Sequence, residues 1–351
     1  MLVVDRREPM SGSTRATTAM IEWELDVPLR KLSDAIGARR AGAVYRACFE
    51  AVGQLEYTIR SAGIRCGWRK RDAIYLAGDA YGWRALREEA RLREGTGLPT
   101  RFLNAAALRS EYSLERSGAL VSAGAGELDP VRLTAGLLQR ARQQGCIIAA
   151  PIDIVAIDTA RNRVCLQDGS GNAYEARRAI FASGYEALKQ IPAKAYKTRS
   201  TWAIATAPAR IGSLPLATSI IWEASDPYIY VRSTADGRVI AGGEDEDFVS
   251  ATKRDRMIGR KAAMIVEKLG RLLPSHEFEV EYAWAGCFAE SPVGLPYIAE
   301  PAGLPNCLAV LGSGGNGITF AVLAAAIAAD WVTGHRHPSA RLFEHVEGKS
   351  K

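Results

Sequence analysis

The sequence predicts a mixed α/β and α+β fold, and three observations carry that expectation. Short apolar runs that read as strands alternate with amphipathic stretches at helical spacing through the first half. The stretch 201–242 is instead dense in β-branched and aromatic residues, which suggests antiparallel strands. Near the C-terminus strand patterning returns, then passes through a glycine-rich loop into an alanine-rich helix.

Taken in order, Leu2-Val3-Val4-Asp5 is a short apolar run ending in an acid and reads as a buried strand. Residues 33–62 read as one helix, with Leu55, Ile59 and Ala62 at helical spacing and Gly63 as its stop. A strand is expected at 74–77 and an amphipathic helix at 83–94, closed by Gly95. Another helix is expected at 130–144. Asp129 is placed to accept from its first free N–H groups, and Pro130 suits a first position that needs no donor. Strands follow at 146–157, 163–167 and 178–183, with 168–172 as a turn. Asp236-Gly237 marks a hairpin inside the antiparallel stretch. A helix at 251–273, strands at 280–286 and 308–311, and a final helix at 320–332 complete the reading.

Composition narrows the classes. With 351 residues, 48% hydrophobic and 24% charged, the chain can bury a sizeable core in one large domain or two. The net charge is +6, but basic residues are interspersed with acids, as in Arg84 to Glu89. That pattern is a solvated surface, and no nucleic-acid partner is expected. The six cysteines form no C-x-x-C pair and have no histidine nearby, so neither a disulfide framework nor a metal site is expected. Charged residues follow Met1 closely, and the longest apolar stretch, 318–332, is short and carries Asp330. No signal peptide or transmembrane segment is expected, and the expected location is cytoplasmic.

Three segments bear chemistry. Gly312-Ser313-Gly314-Gly315-Asn316-Gly317-Ile318-Thr319 follows a strand and opens a helix, where free N–H groups form an anion site and glycines admit a ligand close to the backbone. Asp5 ends a strand, where a carboxylate can accept from both ribose hydroxyls of a dinucleotide. A G-x-G-x-x-G turn should precede it, yet only four residues do, and Gly63 and Gly95 do not supply one. The loop of Gly12 to Met20 is rich in small hydroxyl residues that can bond phosphate or a ring edge with little bulk.

In this order and spacing the segments resemble the D-amino-acid oxidase family of flavoproteins, which includes glycine oxidase and sarcosine oxidase. Leu2 to Arg7 is similar to that family's second strand, with Asp5 as the ribose-binding acid and Arg6 beside it. Ser13, Thr14, Thr17, Thr18, Ala19 and Met20 lie in a loop similar to its flavin-contacting segment. Glu127-Leu128-Asp129-Pro130 is similar to its helix start, and Pro151-Ile152 to the strand touching the adenine side. Ala182-Ser183-Gly184 matches its strand end beside the cofactor. Trp284-Ala285-Gly286 through Gly294-Leu295-Pro296 resembles its next motif, and Gly314, Gly315, Asn316, Gly317, Ile318 and Thr319 its flavin-ring loop.

The resemblance implies an FAD/NAD(P)-binding Rossmann-like domain built from 1–70, 126–195 and 285–345, N-terminally truncated so that its phosphate loop is missing. An antiparallel-sheet substrate domain is expected from 71–125 and 196–284. The implied activity is oxidation of a C–N bond of an amine or amino acid by hydride transfer to FAD. Arginine would clamp a substrate carboxylate because its planar fork binds two oxygens at once. Cys287 and Phe288 stand after Gly286, however, and Gly315 stands where glycine oxidase has an arginine. Tyr228 and Arg232 are the substrate-pocket candidates. His276, His335, His337 and His345 fall in loops or the tail, and no general base is assigned. The alternative reading is a non-catalytic or degraded flavoprotein-like subunit acting through a partner chain; a homo-oligomer is equally open.

Overall fold

Residues 1–184, 186, 196–209, 215–274 and 276–344 are described in the structure, a computed structural model. Strand β1 (Leu2–Val4) opens the chain and the two-residue β2 (Met20–Ile21) follows a loop. The single helix expected over 33–62 is two, α1 (Leu29–Ile36) and α2 (Ala38–Ser61). Gly37 divides them at φ +88°, a conformation side chains resist. Then come β3 (Arg69–Leu76), α3 (Trp83–Gly95), β4 (Thr100–Asn104), α4 (Ala105–Tyr112) and β5 (Gly118–Glu127).

Helix α5 (Pro130–Gln143) starts as its sequence demands: the Asp129 carboxylate accepts from Val131 and Arg132 N–H, both at 3.0 Å. The strand expected over 146–157 is divided into β6 (Ile147–Ala149) and β7 (Ile154–Ala160), because Pro151 has no N–H to give a ladder. β8 (Arg163–Asp168), β9 (Ala173–Ala176) and β10 (Ala179–Gly184) follow. β11 (Lys197–Thr206), β12 (Ser219–Glu223), β13 (Ile229–Ser233) and β14 (Val239–Glu246) occupy the aromatic-rich stretch, with Gly237 at φ +87° turning β13 into β14. The helix expected over 251–273 breaks at Met257 into α6 (Ala251–Arg256) and α7 (Ile258–Leu272). β15 (Val280–Glu290), β16 (Tyr297–Ala299), β17 (Cys307–Leu311) and α8 (Gly317–Thr333) end the described chain's regular elements.

One nine-stranded sheet runs β15-β11-β14-β13-β12-β3-β5-β2, with β4 on β5. It gathers strands from both halves of the chain, and its β12–β3 pair is parallel where the composition suggested antiparallel pairing alone. A three-stranded sheet runs β10-β17-β16 with β10 and β17 parallel. β1 and β6 pair in parallel, Val3 against Ile148. Among the described residues β1 pairs only with β6 and β10 only with β17, so each keeps one open edge. Leu2 is accordingly exposed, against the expectation of a buried strand.

The segment 20–26 joins the layers. Its odd positions, Ile21, Trp23 and Leu25, are buried in a core with Leu32, Tyr45, Cys48 and Leu55 of α1 and α2 and Phe320 and Leu323 of α8. Each such side chain contributes about 1.5–3 kcal/mol of burial. Met20, of the opposite parity, packs with Tyr75, Trp222 and Tyr230 of the large sheet. A separate core of Trp202, Ile204, Val231 and Ala241 is covered by Ile265, Leu269 and Leu272 of α7. Among the described residues no helix is long and apolar enough to cross a membrane.

Candidate active site

The glycine-rich loop between β17 and α8 is fastened to the segment 22–26. Gly315 N–H donates to the Asp26 carboxylate at 3.2 Å, Asn316 Nδ2 to the Glu24 carbonyl at 2.8 Å, and Thr319 Oγ1 to the Glu22 carbonyl at 2.7 Å. Gly314 N–H reaches the Ala289 carbonyl at 3.0 Å. Gly312 and Gly314 sit at φ +68° and +54°, and a Cβ on Gly312 would lie 2.0 Å from the Tyr196 ring. Gly312, Gly314 and Gly317 carry the G-x-G-x-x-G spacing that is missing before Asp5, here between a strand and a helix. Asn316 makes no side-chain cap, which leaves the first N–H groups of α8 to a ligand; Gly317 and Ile318 lie in this first turn.

The hydroxyl-rich loop is held from the sheet side. Ser13 and Thr14 lie in one 3₁₀ turn that packs on α5. Trp284 Nε1 donates to the Ala16 carbonyl at 2.9 Å, and Gly286 faces Ala16. Arg232 Nε donates to the Thr18 carbonyl and its Nη1 to the Ser233 carbonyl at 3.1 Å. Thr17 Oγ1 accepts from Ala19 N–H at 3.2 Å, with Ala19 at φ +51°. Arg232 is only 6% exposed, and burial pulls its guanidinium down to about 10, with Glu127 opposing. Its Nε thus serves the loop's backbone and its Nη1 the carbonyl next to it in β13.

A third group lies at the strand ends. Asp5 Oδ1 accepts from Arg7 N–H at 3.0 Å, and Ile152 N–H donates to the Asp5 carbonyl at 2.7 Å. Arg6 and Arg7 both pair with Glu186, at 2.5 and 3.2 Å, and Ser183 Oγ donates to the Glu186 carbonyl at 2.7 Å. Glu186 therefore draws the end of β1 to the end of β10, where Ala182, Ser183 and Gly184 are exposed.

Facing Met20, three cross-strand neighbours form an aromatic wall. Trp222 of β12 registers with Tyr230 of β13 on one side and Tyr75 of β3 on the other. Tyr75 and Trp222 stack at 3.8 Å, and Tyr228 lies 6.0 Å from Tyr230. Tyr230 lies over Gly242, where a Cβ would meet its hydroxyl at 2.2 Å. The Tyr228 hydroxyl donates to Asp245 Oδ2 at 2.6 Å.

Carboxylates crowd this wall. Desolvation by the surrounding protein pushes Asp26, whose side chain still reaches solvent, up to about 6; the Gly315 N–H opposes, and Glu290 and Asp245 push it further. Burial also raises Asp245 and Glu290, and holds Glu22 well above the usual carboxylate range, with Glu24 and Asp26 adding. Sequence reasoning missed Glu22, Asp26, Tyr75, Trp222, Tyr230, Asp245 and Glu290. One signal was available: Glu22-Trp23-Glu24-Leu25-Asp26 alternates acid and apolar, the pattern of an extended segment with acids on one side.

These groups fit a flavin dinucleotide. Asp5 offers carboxylate oxygens at a strand end, the α8 start offers N–H groups, and positive-φ glycines keep the loop thin enough for a ring to approach.

Comparison with known proteins agrees. The sequence matches the DAO family, FAD dependent oxidoreductase, over residues 1–331. Glycine oxidase from Geobacillus kaustophilus has a similar fold at TM-score 0.76 and 17% identity, covering 98% of this chain and 91% of that one. L-proline dehydrogenase from P. horikoshii is similar at TM-score 0.77 and 15% identity, covering 96% and 87%. Dithionite-reduced L-α-glycerophosphate oxidase from Mycoplasma pneumoniae, with FAD bound, is similar at 0.74 and 14%, covering 96% and 90%. No curated protein matches the sequence. From the family match across nearly its whole length, the chain belongs to the DAO family of FAD-dependent oxidoreductases.

Proposed function

We propose that this chain oxidises a C–N bond of an amine or amino acid, with FAD as the electron acceptor. The observation that carries the reading is the junction of 22–26 with the α8 start, which brings the glycine loop, Asp26 and the aromatic wall to one place. Asp5, Arg6, Ile152 and Ser183 would hold the adenosine side. Ser13, Thr14, Thr17 and Thr18 would face the middle of the dinucleotide, with Gly286, Gly314, Gly315 and Asn316 around the ring. When bound, the flavin takes up the two electrons released from the substrate. The protein's own work is to orient the substrate's C–H and keep its amine neutral.

The reading includes a division of labour: 1–70, 126–195 and 285–345 hold FAD, while 71–125 and 196–284 shape the substrate side. Tyr228 is a pocket residue, and Arg232 positions the Thr18 loop. The relatives named above act on glycine, proline and glycerophosphate by their names, so the fold alone leaves the substrate open.

A second reading, a chain that binds FAD weakly or works with a partner, has one observation behind it. The open edges of β1 and β10 are where a further strand can pair, and a strand with G-x-G-x-x-G after it supplies the pyrophosphate cradle. One experiment separates the two. An absorption spectrum of the purified chain, with and without added FAD, gives a flavin band that survives gel filtration on the first reading. On the second, the band is lost from the chain by itself.

A further inference from the structure

The charge of the substrate pocket points to a substrate class. Asp26 is raised by both Glu290 and Asp245, Glu290 is raised by Asp245, and Glu22 is raised in turn by Asp26. The cations facing them are already engaged. Arg199 is bonded to Asp247 at 2.9 Å and lies 3.7 Å from Glu290, while Lys197 pairs with Asp247 at 2.5 Å. Lys261, the remaining cation near Asp245, is bound to the Glu244 carbonyl at 2.9 Å and to Glu246 at 2.8 Å. Arg232 is spent on Thr18.

Independent of the charge count, Glu22 and Asp245 each hold one of the buried carboxylate oxygens that lack a hydrogen-bond donor among the described residues. Glu22 is 8% exposed, with an Oε1 that has no partner, and Asp245 Oδ1 is likewise shielded and unpartnered. A buried acceptor without a donor costs about 1–3 kcal/mol and is where a ligand donor gains most. Beside them stands the Tyr228–Tyr230–Trp222–Tyr75 wall, whose ring faces attract organic cations.

We infer that the pocket takes a substrate carrying a second cationic group, a diamine or quaternary ammonium amine, its charge held by Asp245, Asp26 and Glu290 against the Tyr228 and Tyr230 rings. The inference rests on the proposed amine-oxidising function and names its substrate class. A simple amino acid would instead bring a carboxylate into a set of carboxylates, where Arg199 and Arg232 are already engaged.

Titration calorimetry of the full chain, in buffer with FAD, tests this with choline, spermidine and glycine as probes. Choline and spermidine are expected to bind at least tenfold more tightly than glycine. Asp245→Asn and Tyr230→Leu are each expected to weaken choline by tenfold or more, and Glu290→Gln, at a more open position, by several-fold. Affinity is expected to rise between pH 5 and 7, as cation binding displaces protons from the carboxylates. Glycine binding as tightly as choline overturns the inference, and so does choline affinity unchanged in Asp245→Asn and Glu290→Gln, each checked by thermal melting to be folded. The flavin spectrum of the same samples reports separately on the amine-oxidising reading. A chain that binds choline but no FAD sinks that reading and leaves the pocket's cation preference standing.

Discussion

The Tyr228 hydroxyl and Asp245 Oδ2, 2.6 Å apart, tie the residue just before β13 to β14 beside the acidic wall. The bond leaves Asp245 Oδ1 as the unpartnered oxygen of that carboxylate. Tyr228→Phe would remove the one donor to Oδ2 among tyrosines, and is expected to destabilise the fold by about 1–3 kcal/mol. Asp245, already raised by burial, would rise further because the hydroxyl's bond lowers it. Urea unfolding at pH 5 and pH 8 checks both: the loss should be larger at pH 8, where the carboxylate is charged.

Arg93 should be among the least replaceable residues. It is fully buried between Glu24 and Glu89, bonding Glu89 at 2.8 Å and packing over the Trp23 and Tyr45 rings. Glu89 in turn accepts from the Leu29 and Arg30 N–H groups at 2.7 and 3.0 Å and so caps α1. Arg93→Met would strand two buried carboxylates, at about 3–5 kcal/mol. A urea midpoint close to that of the parent chain would contradict this account.

Stability should fall as pH rises through the range of Asp26. Its folded-state value of about 6 lies above its ordinary 3.8, so the folded chain holds a proton that the unfolded chain releases. That contribution is complete below about pH 4 and is lost as pH climbs through 6. Glu22, Asp245 and Glu290 are raised as well and act in the same sense. Thermal melts from pH 4.5 to 7.5 should show a shallower slope for Asp26→Asn than for the parent.

Ala19 is strained, at φ +51° in the loop that Thr17 and Arg232 fasten. The left-handed region costs an L-residue about 1–2 kcal/mol, against a smaller entropy cost for glycine. Ala19→Gly relieves that strain but removes a methyl buried in the core, worth about 0.8 kcal/mol, so urea unfolding should show a net change of less than about 1 kcal/mol.

Asp5 tests the adenosine end. Its carboxylate is exposed and, among the described residues, bonded only to Arg7 N–H, so its loss should not unfold the protein. Asp5→Ala is expected to weaken FAD by roughly tenfold, the value of a hydrogen bond to a charged group. Flavin fluorescence quenching measures it.

Local signals were legible where one or two residues decide. Asp129-Pro130 marks the start of α5, and Gly237 the turn between β13 and β14, because caps and turns act within a few residues. The breaks at Gly37 and Met257 were not legible: the apolar spacing continues across both, and only packing selects two helices over one. Strand β5 escaped because it is buried on both faces of a sheet whose partners β3 and β4 come from elsewhere in the chain. Arg232 stood out as a cation in a strand, but its bond to Thr18, 214 residues away, depends on the fold.

The sequence by itself determined the family and its cofactor, since glycines, a strand-end acid and helix caps are chosen by local backbone needs. Only the tertiary structure decided which acids lie near one another. Asp26, Asp245 and Glu290 are scattered along the chain, and their charges act on one another only when folding brings them together.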